Sequence, residues 1–105
     1  MATTHLSQEQ LKDFDQKVNQ TAMKFPADVV RIRHSFNDDW DGDPAIFFRI
    51  LLTDDARRRS PLADLTDRVG RELINDLGLA ESEHTPYFYY RSKSEQDKMR
   101  DPEWE

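Results

Sequence analysis

Carboxylate side chains are concentrated in one short segment, residues 37–44, which reads NDDWDGDP. Clustered carboxylate oxygens are the ligands that hard divalent cations prefer, and a glycine at the sixth position allows the turn of a calcium-binding loop. Read this way, Asp39, Asp41 and Asp43 are the candidate metal ligands, but the twelfth position holds Phe48 instead of a bidentate glutamate. No metal or other cofactor is therefore assigned. The alternative is a solvated turn in which Asp and Asn side chains bond nearby amides.

Trp40 is the one large aromatic side chain within this acidic segment. A tryptophan in a polar loop either folds back against the end of the core or stays exposed as an anchor for a binding partner. The first arrangement is commoner and is the favoured interpretation. Trp40 nevertheless stays a candidate partner-binding residue, because large aromatic side chains dominate many interfaces.

A second group of candidates combines arginines with aromatic residues. Arg31, Arg33 and Arg49 alternate along two predicted strands, and Phe47 shares their side of the second strand. Arg91 follows four consecutive aromatic residues in a third predicted strand. Some RNA-binding sheets use such a face to stack bases and hold phosphates. The alternative is that these arginines pair with carboxylates of a neighbouring element.

Trp104 is the last candidate and lies in an otherwise polar stretch. It either docks on the parent domain or anchors a short linear motif whose acidic neighbours suit a basic groove. Both interpretations stay open at this point. The candidate partner-binding residues are therefore Arg31, Arg33, Trp40, Phe47, Arg49, Arg91 and Trp104.

Two strands that flank the acidic segment form a predicted hairpin, the first over residues 29–36 and the second over residues 45–53. Side chains alternate between the faces of a strand. The predicted core faces comprise Val30, Ile32, His34 and Phe36 in the first strand and Ile46, Phe48, Ile50 and Leu52 in the second. Because the other face of the second strand is mixed, this strand is predicted to be central and partly covered on both sides.

The first predicted helix covers residues 8–23 and carries apolar residues at intervals of three or four. Ser7 and Gln10 form the pattern of a capping box, in which each side chain bonds the other residue's backbone amide. Leu6 and Leu11 stand where a hydrophobic staple would close over this cap.

The second predicted helix covers residues 62–77 and shows the same periodicity. Ser60 is expected as its N-cap and Pro61 as its first helical residue, since this pairing is favoured at helix starts. Gly78 is expected to end the helix in the left-handed conformation.

The element order α-β-β-α-β predicts a small α+β domain over residues 1–92. The third strand, at residues 87–92, extends the hairpin to a three-stranded sheet, with both helices packed on one face. The strand order stays open. Residues 93–105 show little apolar periodicity and are predicted to be a mobile or loosely docked acidic tail.

Composition narrows the classes of function. The 105-residue chain carries a net charge of −6 and contains no cysteine. Binding to nucleic acid or to an anionic membrane is therefore not expected, whereas a basic protein partner is. No long apolar run or signal-peptide pattern is present in the sequence, so a cytoplasmic protein is expected. The three histidines lack ligand spacing, and no residue is assigned a catalytic role.

Two stretches resemble segments of a group of small bacterial proteins of unassigned function. They are WDGDPAIFFRI at residues 40–50 and PYFYYRS at residues 86–92. The resemblance covers most of the chain after Val29. It implies a bacterial cytosolic protein and carries no activity or catalytic residue with it.

The sequence therefore favours a small, acidic, non-catalytic protein–protein interaction module. It would bind a basic partner or its own copy as a homodimer, in the manner of an antitoxin, an immunity protein or an accessory subunit. One alternative is a nucleic-acid-binding sheet that uses the arginine and aromatic face. A second alternative is a divalent-metal-binding protein that uses the acidic loop at residues 37–43.

Overall fold

A computed structural model describes residues 7–59 and 61–105 of the chain. These residues form four helices and three strands, with short 3-10 turns after the third and fourth helices. The elements are α1 (Gln8–Ala22), β1 (Val29–Asp38), β2 (Pro44–Leu52), α2 (Ala56–Arg59), α3 (Leu62–Leu77), β3 (Thr85–Ser92) and α4 (Lys93–Met99). The predicted α+β class is confirmed, with α2 and α4 as additional short helices.

The three strands form one mixed sheet in the order β1-β2-β3. β1 and β2 are antiparallel and form the predicted hairpin. β2 and β3 are parallel, so the chain crosses over through α2 and α3 before it returns to the sheet. The order left open by the sequence is thus decided, and the predicted central position of β2 is confirmed.

One face of β2 forms the middle of the hydrophobic core. Its four predicted core residues, Ile46, Phe48, Ile50 and Leu52, are almost fully buried. α1 and α3 cover this face through Val18, Leu65, Val69 and Leu73. The prediction that two helices pack on one face of the sheet is therefore confirmed.

The ends of α1 and α3 test the predicted caps. The Ser7–Gln10 capping box is confirmed, with the Gln10 amide 3.1 Å from Ser7 Oγ and the Ser7 amide 2.9 Å from Gln10 Oε1. Gly78 ends α3 in the left-handed conformation, with φ 63°, as predicted. The staple residue Leu6 and the cap residue Ser60 lie outside the described residues.

The predicted position of Pro61 is wrong by one residue. Pro61 is the N-cap of α3 and not its first helical residue, with an extended ψ of 133°. Its carbonyl already accepts bonds from the amides of Asp64 and Leu65, at 3.1 and 3.2 Å, which is the behaviour of a cap. The fixed φ of proline suits either position.

The alternation predicted for β1 fails at its start because of a β-bulge. Val29 pairs with Leu52, but Arg31 pairs with the adjacent Leu51, so Val30 is the extra residue of the bulge. Val29 is consequently buried, whereas Val30, which was predicted to face the core, is exposed. From Ile32 onward the predicted faces hold, with Ile32 buried in the core.

Residues 93–105, predicted as a mobile or loosely docked tail, form α4 and a final 3-10 turn over Pro102–Trp104. The cap of α4 is a second capping box: the Glu95 amide donates to Ser92 Oγ at 3.2 Å, and the Ser92 amide donates to the Glu95 carboxylate at 3.1 Å. Trp104 is buried against the sheet. The segment is therefore packed on the domain in this structure.

Gly70 of α3 is buried, yet the structure leaves room for a side chain there. A Cβ at this position would lie 3.6 Å from the Tyr90 hydroxyl and 3.8 Å from the Phe88 ring, which are ordinary contact distances. Glycine in a helix interior costs about 0.8–1 kcal/mol relative to alanine.

We therefore expect Gly70→Ala to raise the free energy of unfolding by about 0.5–1 kcal/mol in urea titrations. A loss of stability in the alanine variant would contradict the packing described.

Candidate interaction site on the open face of the sheet

The face of the sheet opposite α1 and α3, here called the back face, carries most of the candidate residues. The strand register arranges them in rows that run across β1, β2 and β3. The rows are Arg31–Leu51–Arg91, Arg33–Arg49–Tyr89 and Ser35–Phe47–Tyr87. One end of the back face is therefore rich in arginine, and the other end is aromatic.

Residues 101–105, here called the docked segment, lie over the arginine end. Arg31 Nε donates to the Trp104 carbonyl at 3.1 Å, and its guanidinium lies 3.3 Å from the Glu105 carboxylate. Arg33 Nε donates to the main-chain oxygen of Glu105 at 2.8 Å. Both arginines of β1 thus hold the segment by its backbone, and Arg31 also contacts a side chain.

The arginines of β2 and β3 hold the same segment from the other side. Arg49 lies 2.9 Å from the Glu103 carboxylate and also donates to Ser35 Oγ at 3.1 Å. The Arg91 guanidinium lies 4.3 Å from the centre of the Trp104 ring, which is cation–π geometry. It also lies 3.6 Å from the Asp101 carboxylate. Four arginines therefore converge on one short acidic segment.

This arrangement bears on two interpretations that the sequence left open. The arginines pair with carboxylates of a neighbouring element, and that element is the docked segment. Trp104 docks on the parent domain, with only 6% of its surface exposed. A partner-binding role for these residues stays a prediction.

The aromatic end of the back face is not covered by the docked segment in the same way. Phe47 lies between two tyrosines, with its ring centre 5.3 Å from that of Tyr87 and 6.2 Å from that of Tyr89, in nearly parallel orientations. Trp40 extends the series, with its ring centre 5.1 Å from that of Tyr87. We call these four side chains the aromatic row. Trp40 is 74% exposed and Tyr89 is 44% exposed.

The favoured interpretation of Trp40, that it folds back to close the end of the core, is wrong. Its ring contacts the back face and stays largely in solvent. The reason lies in the loop, where Asp39 Oδ1 accepts bonds from the amides of Asp41 and Asp43, each at 2.9 Å. Gly42, with φ 84°, completes this tight turn. The loop thereby presents Trp40 on the side of the sheet away from the core.

Asp39 also joins the loop to the sheet. The Tyr87 hydroxyl donates to Asp39 Oδ2 at 3.0 Å. These hydrogen bonds, the one from the Asp43 amide above all, hold the pKa of the Asp39 carboxyl below its usual value of 3.8. The same bond with Asp39 raises the pKa of the Tyr87 hydroxyl above 10.0. Sequence reasoning missed this contact, since no local pattern links residues 48 positions apart.

The three candidate metal ligands, Asp39, Asp41 and Asp43, do lie together, with one carboxylate oxygen of each within 4.8 Å of the others. Both oxygens of Asp39 are already engaged, one by two amides and the other by a hydroxyl. The hydrogen bonds of a turn therefore account for the position of Asp39, which is the solvated-turn interpretation of the acidic segment.

His34 lies at the edge of the core, as its place on the face of Ile32 and Phe36 predicted. Its ring centre is 4.9 Å from that of Phe14 in an edge-on orientation, and 5.8 Å from that of Phe36. Burial lowers the pKa of His34 from its usual 6.5. These contacts give the residue a packing role.

The S-x-x-E pattern at Ser92–Glu95 was the available signal for α4, since it marks a capping box. It predicts the start of a helix but not where that helix docks.

No protein-family model, curated protein or solved structure matches the chain. Within the described residues, no helix has the length and apolar character needed to cross a membrane. The surface itself is therefore the basis for assigning a function.

The Asp39–Tyr87 bond yields a test by pH. We expect Tyr87→Phe to raise the pKa of Asp39 toward 3.8 but not to reach it, because the Asp43 amide contributes most to the lowering. Because the pKa of Asp39 is lower in the folded chain than in the unfolded chain, its carboxylate stabilises the fold at pH values above the unfolded-state pKa. This contribution is lost as the pH falls through the folded-state pKa. Carbon-detected NMR titration of the Asp39 carboxyl measures the shift.

Tyr89→Phe is the matched control, because it alters the neighbouring tyrosine of the aromatic row and leaves the Tyr87–Asp39 bond intact. An Asp39 pKa that does not change in Tyr87→Phe would show that the hydroxyl does not reach the carboxylate in solution.

Proposed function

We propose that this chain is a non-catalytic module that binds a basic protein partner through the aromatic row and the acidic loop beside it. The observation that carries the proposal is the exposed Trp40, which is 74% accessible while its ring packs on Tyr87. Pre-positioned, exposed aromatic side chains are the usual centres of binding energy in protein interfaces. Antitoxins, immunity proteins and accessory subunits are small proteins that act by such contacts.

The aromatic row suits a protein surface because it offers apolar area that is already ordered. Its rings pack on one another and on the sheet, so little side-chain freedom would be lost when a partner covers them. Burying a large aromatic side chain removes on the order of 150–250 Å² from water, which is about 4–6 kcal/mol at 25 cal/mol per Å² before the costs of association. Trp40 and Tyr89 together supply a substantial part of such a contact.

Charge favours a basic partner over other proteins. Asp38, Asp41 and Asp43 are exposed in and beside the loop that carries Trp40, and the chain as a whole has a net charge of −6. Lysine and arginine side chains would pair with these carboxylates and could also stack on the indole of Trp40. Complementary charge of this kind raises association rates and excludes acidic competitors.

Nucleic acid is less well supported by the same surface. Arg31, Arg33, Arg49 and Arg91, which would have held phosphates, contact the docked segment. The aromatic row itself borders the acidic loop, where a phosphate backbone would be repelled. A nucleic-acid ligand would therefore have to displace the docked segment and overcome the negative charge of the chain.

The proposal predicts which peptides the full chain selects from a random-sequence library. We expect enrichment of basic peptides, with affinity reduced at least about 30-fold by Trp40→Ala, which corresponds to a hot-spot residue of about 2 kcal/mol. Isothermal titration with an enriched peptide measures the change. Salt should weaken binding, since exposed charges are screened.

Met23→Ala is the matched control, because Met23 is exposed to a similar degree, at 76%, on the α1 side of the molecule. It should leave binding unchanged, and both variants should keep the stability of the parent chain. Enrichment of acidic or neutral peptides, or equal binding by the Trp40→Ala variant, would contradict the proposal. If the parent chain forms a dimer that Trp40→Ala dissociates, the aromatic row binds a second copy of the chain and not a basic partner.

A further inference from the structure

The contacts of the docked segment are those of a bound peptide more than those of a core element. Its main chain is held at two carbonyl oxygens, those of Trp104 and Glu105, by arginine side chains. Two of its side chains form ion pairs with the sheet, Glu103 with Arg49 and Glu105 with Arg31. A single aromatic ring, that of Trp104, supplies the buried apolar contact.

A buried amide completes this set of contacts. Gln96 of α4 is only 2% exposed, and its side-chain nitrogen donates to the Asp101 carbonyl at 2.8 Å and to the Glu105 carboxylate. Its side-chain oxygen accepts from Arg91 at 2.7 Å, so the Arg91 guanidinium is held where it contacts the Trp104 ring. The receptor groups are therefore fixed by bonds among themselves, and the segment fits between them.

The segment is joined to the domain at one helix end and is held by a small set of contacts. Only Arg100 separates it from α4, and this residue is the left-handed C-cap of that helix, with φ 53°. The carboxylate side chains of Glu103 and Glu105 are 69% and 59% exposed. Ion pairs with such exposure contribute little to stability and weaken further with salt. Trp104 is thus the main contact that keeps the segment in place.

We propose that the arginine end of the back face is a recognition site for an acidic peptide with a central tryptophan, supplied by another protein, and that residues 101–105 occupy it as an intramolecular competitor. The site selects tryptophan for the Arg91 contact and glutamate on each side of it for Arg49 and Arg31. It differs in place and in ligand charge from the aromatic row, so either proposal can fail without the other.

The test uses the full chain and a fluorescein-labelled peptide of sequence RDPEWE. Trp104→Ala removes the main contact of the competitor, so the variant should bind the peptide at least tenfold more tightly than the parent chain in anisotropy titrations at low salt. Adding Arg91→Ala to Trp104→Ala should return binding to the parent level or below. Adding Arg71→Ala instead is the matched control, because Arg71 lies on α3 and pairs with Asp67.

A second variant keeps the buried ring, in case Trp104→Ala does not fold. Glu103→Gln combined with Glu105→Gln removes the ion pairs with Arg49 and Arg31 and leaves Trp104 in place, so it should bind the peptide more tightly than the parent chain at low salt, but by a smaller factor than Trp104→Ala. A peptide with alanine in place of tryptophan should not bind either variant. Failure of both variants to bind the RDPEWE peptide, or binding that Arg91→Ala leaves unchanged, would overturn the proposal. A dimer of the parent chain that Trp104→Ala dissociates would overturn the assignment to another protein, because the ligand would then be a second copy.

Discussion

The structure depends on the burial of β2 on both of its faces. One face carries Ile46, Phe48 and Ile50 into the core beneath α1 and α3, which is the usual arrangement for a small α+β domain. The other face carries Leu51, which is also almost fully buried although no α-helix of the main core covers it. On this second side β2 is contacted by α4 and by the 3-10 turn of Pro102–Trp104, beside the Arg31–Leu51–Arg91 row.

The local parts of the fold could be predicted from sequence because their signals are local. A capping box at Ser7, a left-handed glycine at Gly78 and the alternation along β2 each depend on residues a few positions apart. The bulge at Val30 was missed because alternation alone cannot show that one residue of a strand has no opposite partner. Pro61 was predicted as the first helical residue of α3 but is its N-cap, because the fixed φ of proline fits both positions.

The candidate site was only partly predictable because it is built from long-range contacts. Sequence reasoning placed Arg31, Arg33 and Arg49 on one face, and the structure agrees, but their partners lie more than 50 positions away at Glu103 to Glu105. The weak apolar periodicity of residues 93–105 predicted a mobile or loosely docked acidic tail. Its acidic composition has a different physical consequence when a cluster of arginines is available, because the carboxylates then neutralise the sheet and allow Trp104 to dock.

The two ends of the back face follow from where the chain places its negative charge. At one end, Glu103 and Glu105 lie over arginines, so opposite charges cancel and an aromatic ring is buried between them. At the other end, the carboxylate of Asp39 is turned inward to backbone amides and to the Tyr87 hydroxyl, which leaves the neighbouring aspartates facing solvent around Trp40. The first end therefore has its complement within the chain, whereas the second presents an ordered aromatic surface with uncompensated negative charge. This asymmetry, more than the overall charge of −6, supports the proposal that the aromatic row binds a basic protein.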